Sequence, residues 1–255
     1  MKIAAYYILV LNESRISVRY SKPVQDITKT LSLSISCLKE RAKFEGDIYV
    51  LTDSPEKASG IDAKIIDVSD RFVIKTDDRL WDPMQCKWFI DDFYEEYDHI
   101  IYLDSDTLML DNRCIANYLD SDSPVKLFTH PIVDYQMWTH QLIGPEFEDI
   151  EMFDACSMFA ESQFAKKIFL KCEKIALDKL HVFGEYSDMP MFNKALTQSG
   201  VDLEKARFPK ELFKVFAEEG SKLDRCFYHF NGESDDKAHK MSHILERVKQ
   251  SENKS

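Results

Sequence analysis

The 255-residue chain is short of glycine and proline, with 7 and 8 residues. Long flexible linkers are therefore not expected. Its six cysteines, at 37, 86, 114, 156, 172 and 226, form no Cys-x-x-Cys pair and fit no zinc template. That usage fits reduced, mostly buried thiols and a cytoplasmic location. Basic charge is also in deficit. Lys and Arg total 33 against 45 Asp and Glu, a net charge of −12 at pH 7. Nonspecific binding to nucleic acid or an anionic membrane needs a basic surface, so neither partner is expected. An anionic substrate would need a local cation, from Lys, Arg or a metal. No apolar run is long enough for a transmembrane segment. The start, "MKIAAYYILVL", has the basic residue and short apolar run of a weak signal peptide. Tyr6 and Tyr7 interrupt it, and no small-residue cleavage site follows, so it reads as a buried strand.

What the chain does have is apolar material: 44% hydrophobic and 12% aromatic residues, enough for a sizeable core. Strands are expected at 3–11, 47–53, 63–68 and from His99, with helices at 24–44 and 84–97 between them. This alternation predicts an α/β fold, a Rossmann-like, mostly parallel sheet with flanking helices. Further strands are expected at 125–130, 153–162 and 226–232, and helices at 164–180 and 188–200. A charged, helical tail runs from Asp235 and frays after Lys249. No internal repeat or linker divides the chain, so a single domain is expected over 1–255. Its parts would be a first half (1–110), a second half (111–234) and the tail (235–255).

In "HIIYLDSDTLML" (99–110) a buried strand runs into Asp104 and Asp106. Residues two apart in an extended chain point the same way, so these carboxylates aim at one point. Close carboxylates repel unless a cation lies between them, and oxygen ligands suit Mg²⁺ or Mn²⁺. Ligands in parallel sheets sit beyond the carboxyl ends of the strands, where Asp53 also falls. A surface turn with Asp106 capping the next segment is the plain alternative. A calcium EF-hand loop from Asp104 fails, because its glycine and glutamate positions hold Met109 and Ile115. A haloacid-dehalogenase-like phosphatase, with Asp104 as nucleophile, expects Asp-x-Asp-x-Thr, but Thr107 is one place early.

The strand with its Asp-x-Asp, "YLDSDTLML", and the late "HFNG" (229–232) resemble the matching blocks of glycosyltransferase family 8. This is the glycogenin and galactinol synthase group, which has the GT-A fold. "SDMPMFNKAL" resembles a third block through Asp188 and Asn193. The resemblance implies a glycosyltransferase moving a sugar from a nucleotide-diphosphate donor, a UDP-sugar favoured, to an acceptor hydroxyl with retention of configuration. It implies Asp104, Asp106 and His229 as ligands of Mn²⁺ or Mg²⁺, the imidazole tilting the choice to Mn²⁺. It implies Asn12, Tyr20, Lys87, Asp104 and Lys237 as donor-binding residues, with Lys240 as a substitute for Lys237. Asp188 and Asp154 would contact the sugar or support the transition state, although Asp188 also reads as a helix N-cap. The acceptor would be a glycan, glycoprotein or small molecule. Tyr135, Trp138, His140 and Phe147, in 131–152, are either an acceptor wall or a satellite packing cluster. The chain departs from the family pattern at Asp154-Ala155-Cys156, where the pattern has an Asn-Ser-Gly-like turn, and at Met189, where it has Gln. The other readings are the phosphatase and a catalytically inactive nucleotide-sugar-binding domain.

Overall fold

The computed structural model describes residues 1–11, 24–71, 87–90, 94–130, 151–183, 189–230 and 236–253. Strands β1 (Ile3–Leu9), β2 (Asp47–Thr52), β3 (Lys64–Asp67) and β4 (His99–Leu103) run parallel. Antiparallel to β4 lies β7 (Ser157–Glu161), and β6 (Val125–Lys126) completes the sheet in the order β3-β2-β1-β4-β7-β6. A second sheet has the order β5-β9-β8, built from β5 (Thr107–Met109), β8 (Phe213–Val215) and β9 (Phe227–His229).

Alternation along the strands divides the core. On one face Ala4, Tyr6, Tyr49, Leu51, Ile100, Tyr102 and Met158 pack with Trp88, Phe89 and Tyr94. Helices α4 (Ser162–Phe183) and α5 (Met189–Thr197) cover this face with Ile168, Phe169, Met191 and Leu196. On the other face Ala5, Tyr7, Leu9, Val50, Ile101 and Phe159 meet Leu31, Ile35 and Leu38 of α1 (Val24–Glu40). Short helices α2 (Pro55–Ala58) and α3 (Arg113–Leu119) add Ala58, Cys114 and Ile115. The tail forms α6 (Lys237–Glu252), whose Met241 and Ile244 cover Leu108, Tyr228 and Phe230 of the small sheet. Each fully buried large apolar side chain contributes ~1.5–3 kcal/mol, so these faces supply most of the driving force.

The mostly parallel sheet with flanking helices agrees with the sequence reading. The expected helix over 84–97 does not hold where the chain is described. Residues 87–90 are turn and coil, and only Tyr94–Glu96 make a single 3₁₀ turn. Tertiary contacts override the helical period here: Trp88, Phe89 and Tyr94 are buried against the sheet, and the Lys87 carbonyl accepts the Tyr6 hydroxyl at 2.9 Å. The expected strand 125–130 shrinks to β6 plus single bridges at Leu127 and Thr129. Strand 153–162 begins only at Ser157, because residues 154–156 form a turn.

That turn is fixed from α5. Asn193 Oδ1 accepts the Phe153 amide at 2.8 Å, and its Nδ2 donates to the Phe153 and Met189 carbonyls, each at 2.9 Å. Asn193 is 2% exposed, so an apolar replacement leaves buried backbone groups unpaired. We expect Asn193→Ala to cost about 2–3 kcal/mol in urea unfolding. Asn193→Asp should cost more, since it turns a carboxylate on two carbonyl oxygens.

Candidate metal and donor site

Beyond β4 the backbone turns sharply, and the turn is held from two sides. The Asp104 amide donates to the Cys156 carbonyl at 2.8 Å, and the Thr107 hydroxyl donates to the Asp104 carbonyl at 2.8 Å. Thr107 also meets the Ser34 hydroxyl of α1 at 3.3 Å, and Ser34 donates to the Tyr7 hydroxyl at 3.2 Å. The chain leaves this turn as β5, which pairs antiparallel with β9 so that Thr107 lies opposite His229. The Phe230 amide closes the ladder on the Asp106 carbonyl at 3.0 Å.

This pairing brings the expected ligands together. His229 Nε2 lies 3.4 Å from Asp106 Oδ1 and 3.9 Å from Asp104 Oδ2. One ligand atom from each of the three residues falls within 4.8 Å of the others. Two carboxylates that close repel by roughly 3 kcal/mol at an effective dielectric near 20. Two lysines offset this. Lys237, at the start of α6, pairs with Asp106, and Lys87 Nζ sits 3.7 Å from Asp104 Oδ1. Lys87 also donates to the Ala155 carbonyl at 2.9 Å and lies 5.0 Å from the Tyr102 ring centre. Lys240 points elsewhere, onto Glu218 at 2.5 Å.

The two acids are driven apart in acidity. Burial holds the Asp104 carboxyl up at about 6, against the pull of Lys87 and with a further push from Asp106. Burial also acts on Asp106, but Lys237 and then His229 outweigh it and hold that carboxyl far below the usual range. For His229, burial would lower the pKa, and Asp106, Asp154 and Asp104 together raise it. The donor set of two carboxylates and one imidazole fits a divalent cation, and its oxygen share favours a hard or borderline one.

Asp154 lies in the turn before β7 and is 6% exposed, with Oδ1 accepting the Cys156 amide at 2.9 Å. Its Oδ2 faces His229 Nδ1 at 4.0 Å. Asp53, also at a strand end, accepts the Leu11 amide on Oδ1 at 2.8 Å and so ties β1 to β2. Asn12, Tyr20, Asp188, Gly232, Tyr135, Trp138, His140 and Phe147 lie outside the described residues. Two contacts escaped the sequence reading. Tyr102 donates its hydroxyl to Asp104 Oδ1, which the period of two along β4 would have placed on that face. The approach of Asp154 to His229 has no sequence signal.

Among solved structures the chain is similar to galactosyltransferase LgtC in complex with donor and acceptor sugar analogues. The TM-score is 0.64 at 13% identity, covering 96% of this chain and 95% of LgtC. The chain has the GT-A glycosyltransferase fold. No protein-family model and no curated protein matches the sequence. Within the GT-A fold the acid pair occupies the end of β4, at the junction with the second sheet. No described helix is long and apolar enough to cross a membrane.

Lys237 and Asp106 are largely buried, with side chains 16% and 13% exposed. Removing one partner strands the other's charge. Lys237→Met should therefore destabilise the metal-free protein by about 1–3 kcal/mol. The loss should shrink in an Asp106→Asn background, read as the coupling in a double-mutant denaturation cycle.

Proposed function

We propose that the protein is a metal-dependent, retaining glycosyltransferase that moves a sugar from a nucleotide-diphosphate donor, a UDP-sugar favoured, to an acceptor hydroxyl. The observation that carries this reading is the meeting of Asp104, Asp106 and His229 at the end of β4 in a GT-A fold. Asp104, Asp106 and His229 would hold Mn²⁺, or Mg²⁺, through two carboxylates and Nε2. The bound cation supplies Lewis acidity for the negative charge that builds on the leaving diphosphate. A chain with a net charge of −12 needs such positive charge to receive an anionic donor.

The protein's own groups have separable tasks. Lys237 holds Asp106 ionised and lies close enough to exchange that carboxylate for a donor phosphate. Lys87, braced by Ala155, brings a second cation to the same edge, beside Asp104. Asn12 and Tyr20 follow β1 in sequence and are assigned to the nucleotide, Asn12 by hydrogen bonding and Tyr20 by stacking on the base. Asp188 precedes α5 in sequence and is assigned to the donor sugar. No side chain is assigned as a nucleophile, so the leaving diphosphate takes the proton of the acceptor hydroxyl as the new glycosidic bond forms. The acceptor is a glycan, glycoprotein or small molecule, and the aromatic residues of 131–152 are assigned to its wall. The buried cysteines fit a cytoplasmic location.

The phosphatase alternative gains no geometric support. Thr107 is 1% exposed and committed to Asp104 and Ser34 inside the protein.

Two measurements test this reading. A thermal-shift screen should show UDP or a UDP-sugar raising Tm only when Mn²⁺ is present, by ligand linkage. Failure of every nucleoside diphosphate to bind with Mn²⁺ would sink the proposal. Slow hydrolysis of the bound donor should accompany binding and vanish in Asp106→Ala. Donor binding with neither hydrolysis nor transfer identifies an inactive binding domain instead.

A further inference from the structure

Two buried polar atoms beside the acid pair have no hydrogen-bond partner among the described residues: His229 Nδ1 and Asp154 Oδ2. They belong to residues 3% and 6% exposed and face each other at 4.0 Å. Other polar groups of both residues are committed. The Asp154 amide donates to the Phe128 carbonyl at 2.8 Å, and Asp154 Oδ1 takes the Cys156 amide at 2.9 Å. The His229 carbonyl accepts the Ala217 amide at 2.9 Å, and Nε2 is turned to Asp104 and Asp106. Burying an unpaired polar group is costly, and a closure of about 1 Å would satisfy both with one N–H···O bond.

We propose that Asp154 is a positioning residue for His229: it accepts the Nδ1 proton and so turns the Nε2 lone pair toward a divalent cation shared with Asp104 and Asp106. This rests on the metal-binding reading above. Neutral imidazole carries one N–H. A carboxylate at Nδ1 holds the proton there and leaves Nε2 unprotonated, facing the acids. It also makes Nε2 a stronger donor to the cation. A proton on Nε2 would instead point at Asp106 and close the ligand set.

This role differs from contact with the donor sugar, because Asp154 is buried and both its oxygens face protein groups. Cys156 completes a second cluster with Asp154 and His229 in which one ligand atom of each lies within 4.8 Å of the others. A metal there would need the Cys156 thiolate, which burial disfavours in the metal-free protein. The approach of the two unpartnered atoms to each other assigns the Nδ1 side to the hydrogen bond.

The test combines a tautomer measurement with metal titration of the full chain. In wild type, ¹⁵N NMR of the His229 ring, at a pH alkaline enough to keep it neutral, should show the proton on Nδ1. Electron paramagnetic resonance titration with Mn²⁺ alone should show roughly 10–100-fold weaker binding in Asp154→Ala. Asp154→Asn should fall between, since its amide oxygen keeps an acceptor without the charge. A proton on Nε2 in wild type, or unchanged Mn²⁺ affinity in both variants, overturns the proposal. So does a second bound metal with a Co²⁺–thiolate absorption band lost in Cys156→Ser. If wild type binds no Mn²⁺, the metal reading fails by itself, and the tautomer in wild type and Asp154→Ala still decides whether Asp154 sets His229.

Discussion

The site depends on the pairing of two three-residue strands, β5 and β9. The acid pair ends one segment and the histidine ends another, and only this ladder makes them neighbours. Its register is fixed by packing more than by its few hydrogen bonds. On one face Leu108, Tyr228 and Phe230 pack on Met241 and Ile244 of α6. On the other Met109 and Phe227 join the core that contains Phe128, whose ring lies 4.3 Å from that of Phe227. A slip of one residue would carry Met109 and Phe227 out of that core and swing His229 away from the acids. The apolar residues of the strands thus decide where the imidazole points. Closing hydrogen bonds at both ends, Phe230 to Asp106 and Leu110 to Cys226, leave little room for such a slip.

Charge balance is the second constraint. Asp104, Asp106 and Asp154 converge on one histidine, and Lys87 and Lys237 pair with Asp104 and Asp106. Lys237 comes from α6, 131 residues from Asp106 in sequence. The tail that reads as a charged appendage is therefore part of the site: its apolar face covers the small sheet, and its first residue neutralises a buried acid. Both interactions anchor the same helix, so the packing of α6 and the charge at Asp106 are coupled. The same arrangement explains how a strongly acidic chain tolerates an acid cluster. Two of its lysines, Lys87 and Lys237, are placed at the cluster itself.

Much of this was legible in the sequence where an element is long and buried. Strands β1, β2 and β4 show as continuous apolar runs because both their faces are covered, and α1 and α4 show a helical period. Strands β5 and β8 are too short for a period of two to stand out, so the second sheet was invisible until the chain was folded. The 84–97 segment misled for the opposite reason. Its aromatic residues fall at helical intervals, yet Trp88 is buried from a turn, Phe89 from coil and Tyr94 from a 3₁₀ turn. Burial fixes the spacing of apolar residues without fixing the backbone that presents them. The candidate metal ligands were legible as a pair plus a resemblance, since nothing local to His229 announces its partners.

The turn Asp154-Ala155-Cys156 shows how much a short segment can organise. Its three residues each brace a different member of the site. The Cys156 carbonyl holds the Asp104 amide, the Ala155 carbonyl holds the Lys87 ammonium, and the Asp154 carboxylate faces the His229 ring. Two of these contacts use backbone carbonyls, which any residue supplies, so a change of side chain at 155 or 156 leaves their hydrogen-bonding groups in place. The third depends on the side chain, and there an acid adds negative charge behind the imidazole. The turn is itself held by Asn193 through both backbone groups of Phe153. A chain of support therefore runs from α5 through Phe153 to Asp154 and on to the imidazole. A side chain as remote as Asn193 acts on the ligand set through backbone position alone. Such a link favours a largely preformed site, because buried hydrogen bonds fix Phe153 and only the short approach of Asp154 to His229 is left to close.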